Sequence, residues 1–257
     1  MLTPPEIARS LLAAGESKAR LPLGKMLLLA ILAGAYIALA GVGATAAAVT
    51  VESGSLAKLL SACVFPAGLS MVILAGSELF TGNCLMVMAL LERRITPAQL
   101  LRNWLTVYLG NAMGGAAVAA LAVYSNTASL FGDGLARSMV SIAESKAALG
   151  AGDAFLRGVL CNFLVCLAVW MAAASKRAEG KVIALFFPIL LFVLCGYEHC
   201  IANLYYLPAG AFAAAEYGME TTLTLAGCLE NLAAVTLGNL VGGAALGVGY
   251  RFAYLKE

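Results

Sequence analysis

The chain has 257 residues, 62% of them apolar and 12% charged, with a mean hydropathy of +0.91. A soluble domain is roughly half apolar and about a quarter charged, so composition excludes that class and points to a polytopic α-helical membrane protein in a lipid bilayer. Long unbroken apolar runs, in place of short alternating segments, exclude a β-barrel, and a net charge of +2 is too small to suggest nucleic acid as a partner.

Residues 1–25 carry Glu6, Arg9, Glu16, Lys18, Arg20 and Lys25 and show no apolar core of a secretory leader. Residues 3–20 predict a short amphipathic helix, with Thr3 as cap, Pro4 in the first turn and Glu6 completing a capping box. It lies against the membrane or the base of the protein. The expected organisation is a cytoplasmic N-terminal helix at 1–23 and a six-span transmembrane domain at 24–257.

Apolar segments run over 26–50, 62–91, 103–124, 154–175, 182–215 and 223–250. Four suit single spans of about 20–25 residues. The segment 62–91 is too long for one span and too short for two, and it carries Glu78 and then Thr81-Gly82-Asn83. The segment 182–215 has the same length problem and carries Glu198, His199 and Asn203. Helices broken near 77–83 and 196–199 explain both, since non-helical backbone at that depth survives only where protein buries it or it lines a cavity. With six spans, one side holds twelve of the sixteen Lys and Arg residues, and the other keeps Lys58, Arg137, Lys146 and Arg157. The positive-inside rule then places both termini in the cytoplasm of a cell inner (plasma) membrane.

The chain also repeats itself. Leu109-Gly-Asn-Ala-Met-Gly-Gly-Ala-Ala matches Leu237-Gly-Asn-Leu-Val-Gly-Gly-Ala-Ala. Phe65-Pro66 opens the first broken segment and Phe187-Pro188 the second, and Glu78-Leu-Phe-Thr-Gly-Asn83 aligns with Glu198-His-Cys-Ile-Ala-Asn203. Three spans per repeat, about 24–125 and 153–254, force the halves to enter the membrane from opposite sides. The glycines of the third and sixth spans serve close packing, within a subunit or between subunits. Seven cysteines form no CxxC pair and read as packing residues.

His199 is the only histidine, and an ionisable residue in a membrane span is a functional candidate by default. Thr81 sits in the other break, where its hydroxyl can donate to an anion or accept from the imidazole. Glu78 and Glu198 read as structural, capping backbone N–H groups where half-helices start, with Asn83 and Asn203 belonging to the same breaks. Lys146 lies in an outer-side loop before the fourth span.

SELFTGN at 77–83, RGVLCNFLVCLAVW at 157–170 and GYEHCIAN at 196–203 resemble the signatures of the formate/nitrite transporter family. The resemblance implies an aquaporin-like fold, a homopentamer with one pore per protomer, and passage of small monovalent anions: formate, hydrosulfide or nitrite. It implies that His199 faces the pore centre opposite Thr81 and is able to exchange a proton with the passing anion. It implies that Asn162 and Asn239 orient the histidine or its partners and that Lys146 attracts the anion. Leu69 and Leu79 would narrow the cytoplasmic side, and Phe65, Phe80, Val165 and Phe192 the outer side. The motif NLYYLPAG is similar to the formate or hydrosulfide branches.

The rival reading is an aquaporin-like pore for small neutral solutes, which shares the inverted repeat. Its paired Asn-Pro-Ala motifs are absent here; only Phe65-Pro-Ala and Leu207-Pro-Ala occur. No catalytic residue, cofactor or metal is expected, because one histidine cannot form a bis-histidine haem site and no Gly-x-Ser-x-Gly is present.

Overall fold

A computed structural model describes residues 1–255. Lys256 and Glu257, the end of the expected 24–257 domain and the site of one of the counted cations, lie outside the described residues. Among the described residues there are helices and no strand. Helix α1 (Pro4–Ala19) begins at Thr3, whose N–H and hydroxyl both donate to Glu6 Oε2 at 2.7 and 2.8 Å. Then follow α2 (Leu23–Ala46), α3 (Gly54–Val64), α4 (Pro66–Ala75), α5 (Phe80–Asn83), a 3-10 turn at 84–86, α6 (Val87–Leu91) and α7 (Pro97–Tyr124). The second half holds α8 (Gly134–Ala147), α9 (Ala151–Ala173), α10 (Ala178–Leu194), α11 (Cys200–Glu216) and α12 (Leu225–Tyr254).

Among the described residues, five stretches are long and apolar enough to cross a membrane: α2, the α3–α4 run Gly54–Ala75, α7, α9 and α12. Helices α10 and α11 have 17 residues each and fall short singly, since a break divides them. The other broken segment starts at Gly54, earlier than the hydropathy onset at 62, because Ser53 caps α3 by accepting the Leu56 N–H. Phe187-Pro188 does not open α10 but lies inside it, where the missing proline N–H costs one helical bond. Lys146 sits in the last turn of a helix, α8, and not in a loop. Its low hydropathy hides α8, yet Leu135, Ala136, Met139, Val140 and Ala143 recur at helical spacing and are buried.

Both breaks have the same backbone form. Helix α4 ends at Gly76 (φ 79°) and α10 runs into Gly196 (φ 70°), left-handed positions that a Cβ would strain. The next residue bonds back each time, Ser77 N–H to Val72 O at 2.9 Å and Tyr197 N–H to Phe192 O at 3.0 Å. The chain is then extended at Leu79 (φ −112°, ψ 123°) and His199 (φ −114°, ψ 112°) before a new helix starts.

One end of the bundle gathers α1, the 92–96 turn, the end of α9 and the end of α12. Leu2 N–H donates to Ala174 O at 2.8 Å, Arg251 pairs with Glu92 at 2.7 Å and Arg94 approaches Glu16 at 3.7 Å. Helix α1 thus covers the base of the protein.

Gly110, Gly114 and Gly115 of α7 and Gly238, Gly242, Gly243 and Gly247 of α12 pack within the chain. A Cβ at Gly114 would stand 2.0 Å from Ile31 O on α2, and one at Gly242 would stand 2.0 Å from Val159 O on α9. These are backbone atoms that no rotamer change can move, so two helix pairs meet at a separation only glycine permits. Gly242→Ala is expected to destabilise the folded protein by about 1–3 kcal/mol, read as a lower melting temperature in detergent. Gly249→Ala, on the same helix with nothing within 4 Å of the added carbon, should leave it unchanged.

Candidate functional site

Each break carries the same set of polar side chains. In the first, Glu78 accepts from Lys18 Nζ (2.8 Å) and Asn83 Nδ2 (2.7 Å), and Asn83 Nδ2 also donates to Asn103 Oδ1 (2.9 Å). In the second, Glu198 accepts from Lys146 Nζ (2.8 and 3.0 Å) and Asn203 Nδ2 (2.7 Å), and Asn203 Nδ2 also donates to Asn231 Oδ1 (2.8 Å). The two sets differ in where the lysine places its second bond, which for Lys146 goes to the other oxygen of Glu198. Lys18 also donates to Asn83 Oδ1 at 2.8 Å, whereas Asn203 Oδ1 has no partner among the described residues.

The expectation that Glu78 and Glu198 cap helix starts is therefore corrected: their oxygens go to lysine and asparagine side chains. The backbone is served by asparagines. Asn111 Oδ1 accepts the Phe80 N–H at 3.0 Å while its Nδ2 donates to Ala30 O and Glu78 O. Asn239 Oδ1 accepts the Cys200 N–H at 2.9 Å while its Nδ2 donates to Gly158 O and Glu198 O. An amide side chain can donate and accept at once, which a carboxylate cannot. Asn239 thus holds the peptides on both sides of His199 and does not touch the ring.

His199 is itself the N-cap of α11. Its Nδ1 accepts the Ala202 N–H at 3.0 Å, so the proton of the neutral ring sits on Nε2 and donates to Thr81 Oγ1, also at 3.0 Å. Thr81 and His199 face each other across the two breaks. Asn162 on α9 holds the Thr81 end of this pair, donating to Thr81 O at 3.2 Å and to Asn239 O at 2.7 Å.

Two cavities approach the pair from opposite ends. One, of ≈ 330 Å³, is lined by Lys18, Leu69, Glu78, Leu79 and Asn83. The other, of ≈ 310 Å³, is lined by Lys146, Glu198, His199, Asn203, Phe65 and Phe192. Between them only ≈ 10 Å³ is open, bounded by Ile37, Phe65, Leu69, Leu79, Val165, Ile189, Phe192 and His199. A single water needs about that much. Phe65 and Phe192 meet edge to face at 5.7 Å, and Phe192 stacks on the His199 ring at 5.8 Å.

Of the expected constriction residues, Phe65, Leu69, Leu79, Val165 and Phe192 share this one pinch. Phe80 does not. It packs edge to face on Trp104 (6.4 Å) and Tyr108 (5.1 Å), under an outward apolar groove. The cause is the backbone: Leu79 is the last extended residue and Phe80 the first helical one, so their side chains leave on different sides. Thr81, Asn162 and Asn239 are fully buried and line none of the three spaces; they stand behind the surface that His199 presents.

Sequence reading passed over Lys18, Asn103, Asn111 and Asn231. The signals were present. Glu-Ser-Lys-Ala occurs at 16–19 and again at 144–147, and Asn111 lies inside the matched Leu-Gly-Asn stretch. Helices α1 and α8 therefore carry the equivalent lysines.

Removing one partner from a buried ion pair leaves the other charge uncompensated, at a cost of about 3–5 kcal/mol. Glu198→Ala is expected to lower thermal stability more than Glu78→Ala, because Lys146 is 16% exposed and Lys18 29%. Melting curves of the two purified variants check the order, and a second change, Lys146→Met, should restore part of the loss in Glu198→Ala.

A family model described as formate/nitrite transporter matches residues 5–253. The chain is 38% identical to a probable formate transporter of Methanothermobacter thermautotrophicus, over 99% of this chain and 98% of that protein. It is 38% identical to the formate channel FocA of Haemophilus influenzae, over 86% of this chain and 83% of that one. Among solved structures, an FNT family ion channel superposes with a TM-score of 0.87 at 32% identity, covering 96% of this chain and 98% of that one. A pentameric formate channel with formate bound superposes with a TM-score of 0.80 at 33% identity, covering 91% and 98%. A match over this much of the chain, in sequence and in fold alike, means that the chain belongs to the formate/nitrite transporter family.

Proposed function

We propose that the chain is a membrane pore for small monovalent anions, formate first, with hydrosulfide and nitrite in the same size class. The observation that carries this reading is two lysine-bearing cavities separated by a ≈ 10 Å³ apolar pinch with one hydrogen-bonding ring in its wall. A bare anion entering that pinch loses its water at a cost of several kcal/mol. The lysines offset part of this cost in the cavities, and His199 brings the hydrogen-bonding side chain to the pinch wall, with Thr81 behind it as the acceptor of its Nε2–H. Cations at both mouths favour this reading over an aquaporin-like pore for neutral solutes.

The neutral ring is best read as a hydrogen-bond donor and not as the proton source. Protonating Nδ1 would expel the Ala202 N–H and strip the cap from α11. The anion takes a proton from hydronium in one flanking cavity, crosses the pinch as the neutral acid and returns the proton to water in the other, so proton exchange at His199 itself is the rival reading.

The topology we infer is a six-span inverted repeat, 3+3, with both broken helices meeting at the pinch. Its halves extend to include α1 and α8, which carry equivalent lysines. Both termini are cytoplasmic, since the cation-rich base holds the N-terminus, the 92–96 turn and the end of α12, and Lys146 then faces outward. The assembly is a homopentamer in the plasma membrane, a reading supported by the likeness to the pentameric formate channel. Exposed Leu101, Leu105, Leu229 and Leu237 give α7 and α12 an apolar outer face that suits lipid or a neighbouring subunit.

Formate flux into proteoliposomes, set against glycerol flux, tests the substrate class: formate passes and glycerol does not. Passage of glycerol without formate would replace the anion reading with the neutral-solute one. Formate flux is also expected to rise as pH falls. His199→Asn, which keeps an acceptor for the Ala202 N–H, should retain that slope; a flat profile in this variant would return proton exchange to the ring.

A further inference from the structure

The two mouths are built on one plan, and they differ in charge. The Lys18 cavity is lined by one lysine and one carboxylate. The Lys146 cavity is lined by Lys146, Lys58 and Arg157 against the single carboxylate of Glu198. The repeat shows where the excess arises. Glu78 N–H donates to Leu29 O, and its equivalent Glu198 N–H donates to Arg157 O. Arg157 therefore stands where the other mouth has Leu29.

Lys146 is neutralised by Glu198 at 2.8 Å, but Lys58 and Arg157 are exposed at the rim and make no side-chain hydrogen bond or ion pair among the described residues. Lys58 stands close enough to feel the charges of Lys146, Arg157 and Glu198. Two hydroxyls beside them are already engaged: Ser61 donates to Ala44 O and Ser145 to Ser141 O. Ser141 and Tyr197 add uncharged hydroxyls to the lining, so the unengaged charged donors of this cavity are the two rim cations.

We propose that Lys58 and Arg157 form an anion-capture site at the Lys146 mouth, without counterpart at the Lys18 mouth, that selects planar two-oxygen anions. The proposal rests on the anion-pore reading. The guanidinium fork matches a planar pair of oxygens, as in formate or nitrite, and gains less from a spherical anion such as chloride or from the single sulfur of hydrosulfide. A cavity of one sign with low-dielectric walls focuses the field and raises the local anion concentration. A passive path cannot pump, so rates at vanishing concentration are equal from both sides. The asymmetry appears in saturation: the Lys146 mouth fills at lower formate concentration.

The test is initial formate flux from each mouth of the full chain in oriented proteoliposomes, at symmetric pH and zero membrane potential. The proteins are wild type, Arg157→Lys and the double variant Lys58→Gln/Arg157→Gln. In the wild type, half-saturation is expected at a lower formate concentration from the Lys146 mouth, rising with ionic strength. The double variant should raise that concentration about three- to tenfold and leave the Lys18 mouth unchanged. Arg157→Lys should keep most of the salt dependence yet lose the preference of nitrite over chloride as competitor. Equal half-saturation at both mouths of a wild type that does pass formate, or a double variant that leaves it unmoved, overturns the capture site alone. A wild type that passes no formate from either mouth overturns the anion-pore reading and the capture site with it.

Discussion

Everything in this fold depends on satisfying backbone at two places where helices stop inside an apolar bundle. Unpaired N–H and C=O groups there cost several kcal/mol each, and no water is at hand to take them. Asn111 and Asn239 resolve the problem with one side chain per break, each accepting from one peptide and donating to two. Each asparagine is in turn fixed by helix pairs that approach at glycine separation, α2 with α7 and α9 with α12. The position of the His199 ring follows from this arrangement, since its flanking peptides are held from behind.

The Glu–Lys–Asn clusters serve a second purpose in the same scheme. A carboxylate near an anion's route would repel it. Paired with lysine and asparagine, each becomes an anchor whose charge is spent locally, and it ties a helix outside the broken segment, α1 or α8, to the break. Those tethers bring polar residues to each mouth while the pinch between them stays apolar.

Much of this was legible in the sequence. The two breaks followed from segment length and mid-segment polarity, and the pairing of Thr81 with His199 followed from the repeat and the family signatures. The Thr3–Glu6 capping box was legible from local chemistry alone. Other features were hidden for physical reasons. Helix α8 is amphipathic, so its hydropathy resembled a loop although its apolar residues kept a helical period. The glutamates looked like caps because capping is a local rule; their partners, Lys18 and Lys146, lie more than fifty residues away in sequence. The resemblance puts Phe80 in the outer constriction, but a change from extended to helical backbone between Leu79 and Phe80 turns it outward. Lys18 was announced by the recurrence of Glu-Ser-Lys-Ala, a match too short to stand out from a chain rich in alanine.

The two halves also diverge at the one position that matters for traffic. Where the second half places His199, the first places Leu79. Fast ion channels move their cargo by knock-on, in which an arriving ion repels one already seated in an adjacent site. That requires two polar stations in succession at the narrowest point. Here one station is a hydrocarbon side chain, so on the anion reading two ions never sit there together. Each crossing is then a solitary event set by the protonation and dehydration of the one molecule in transit, and throughput is governed by the chemistry of the cargo and not by crowding behind it.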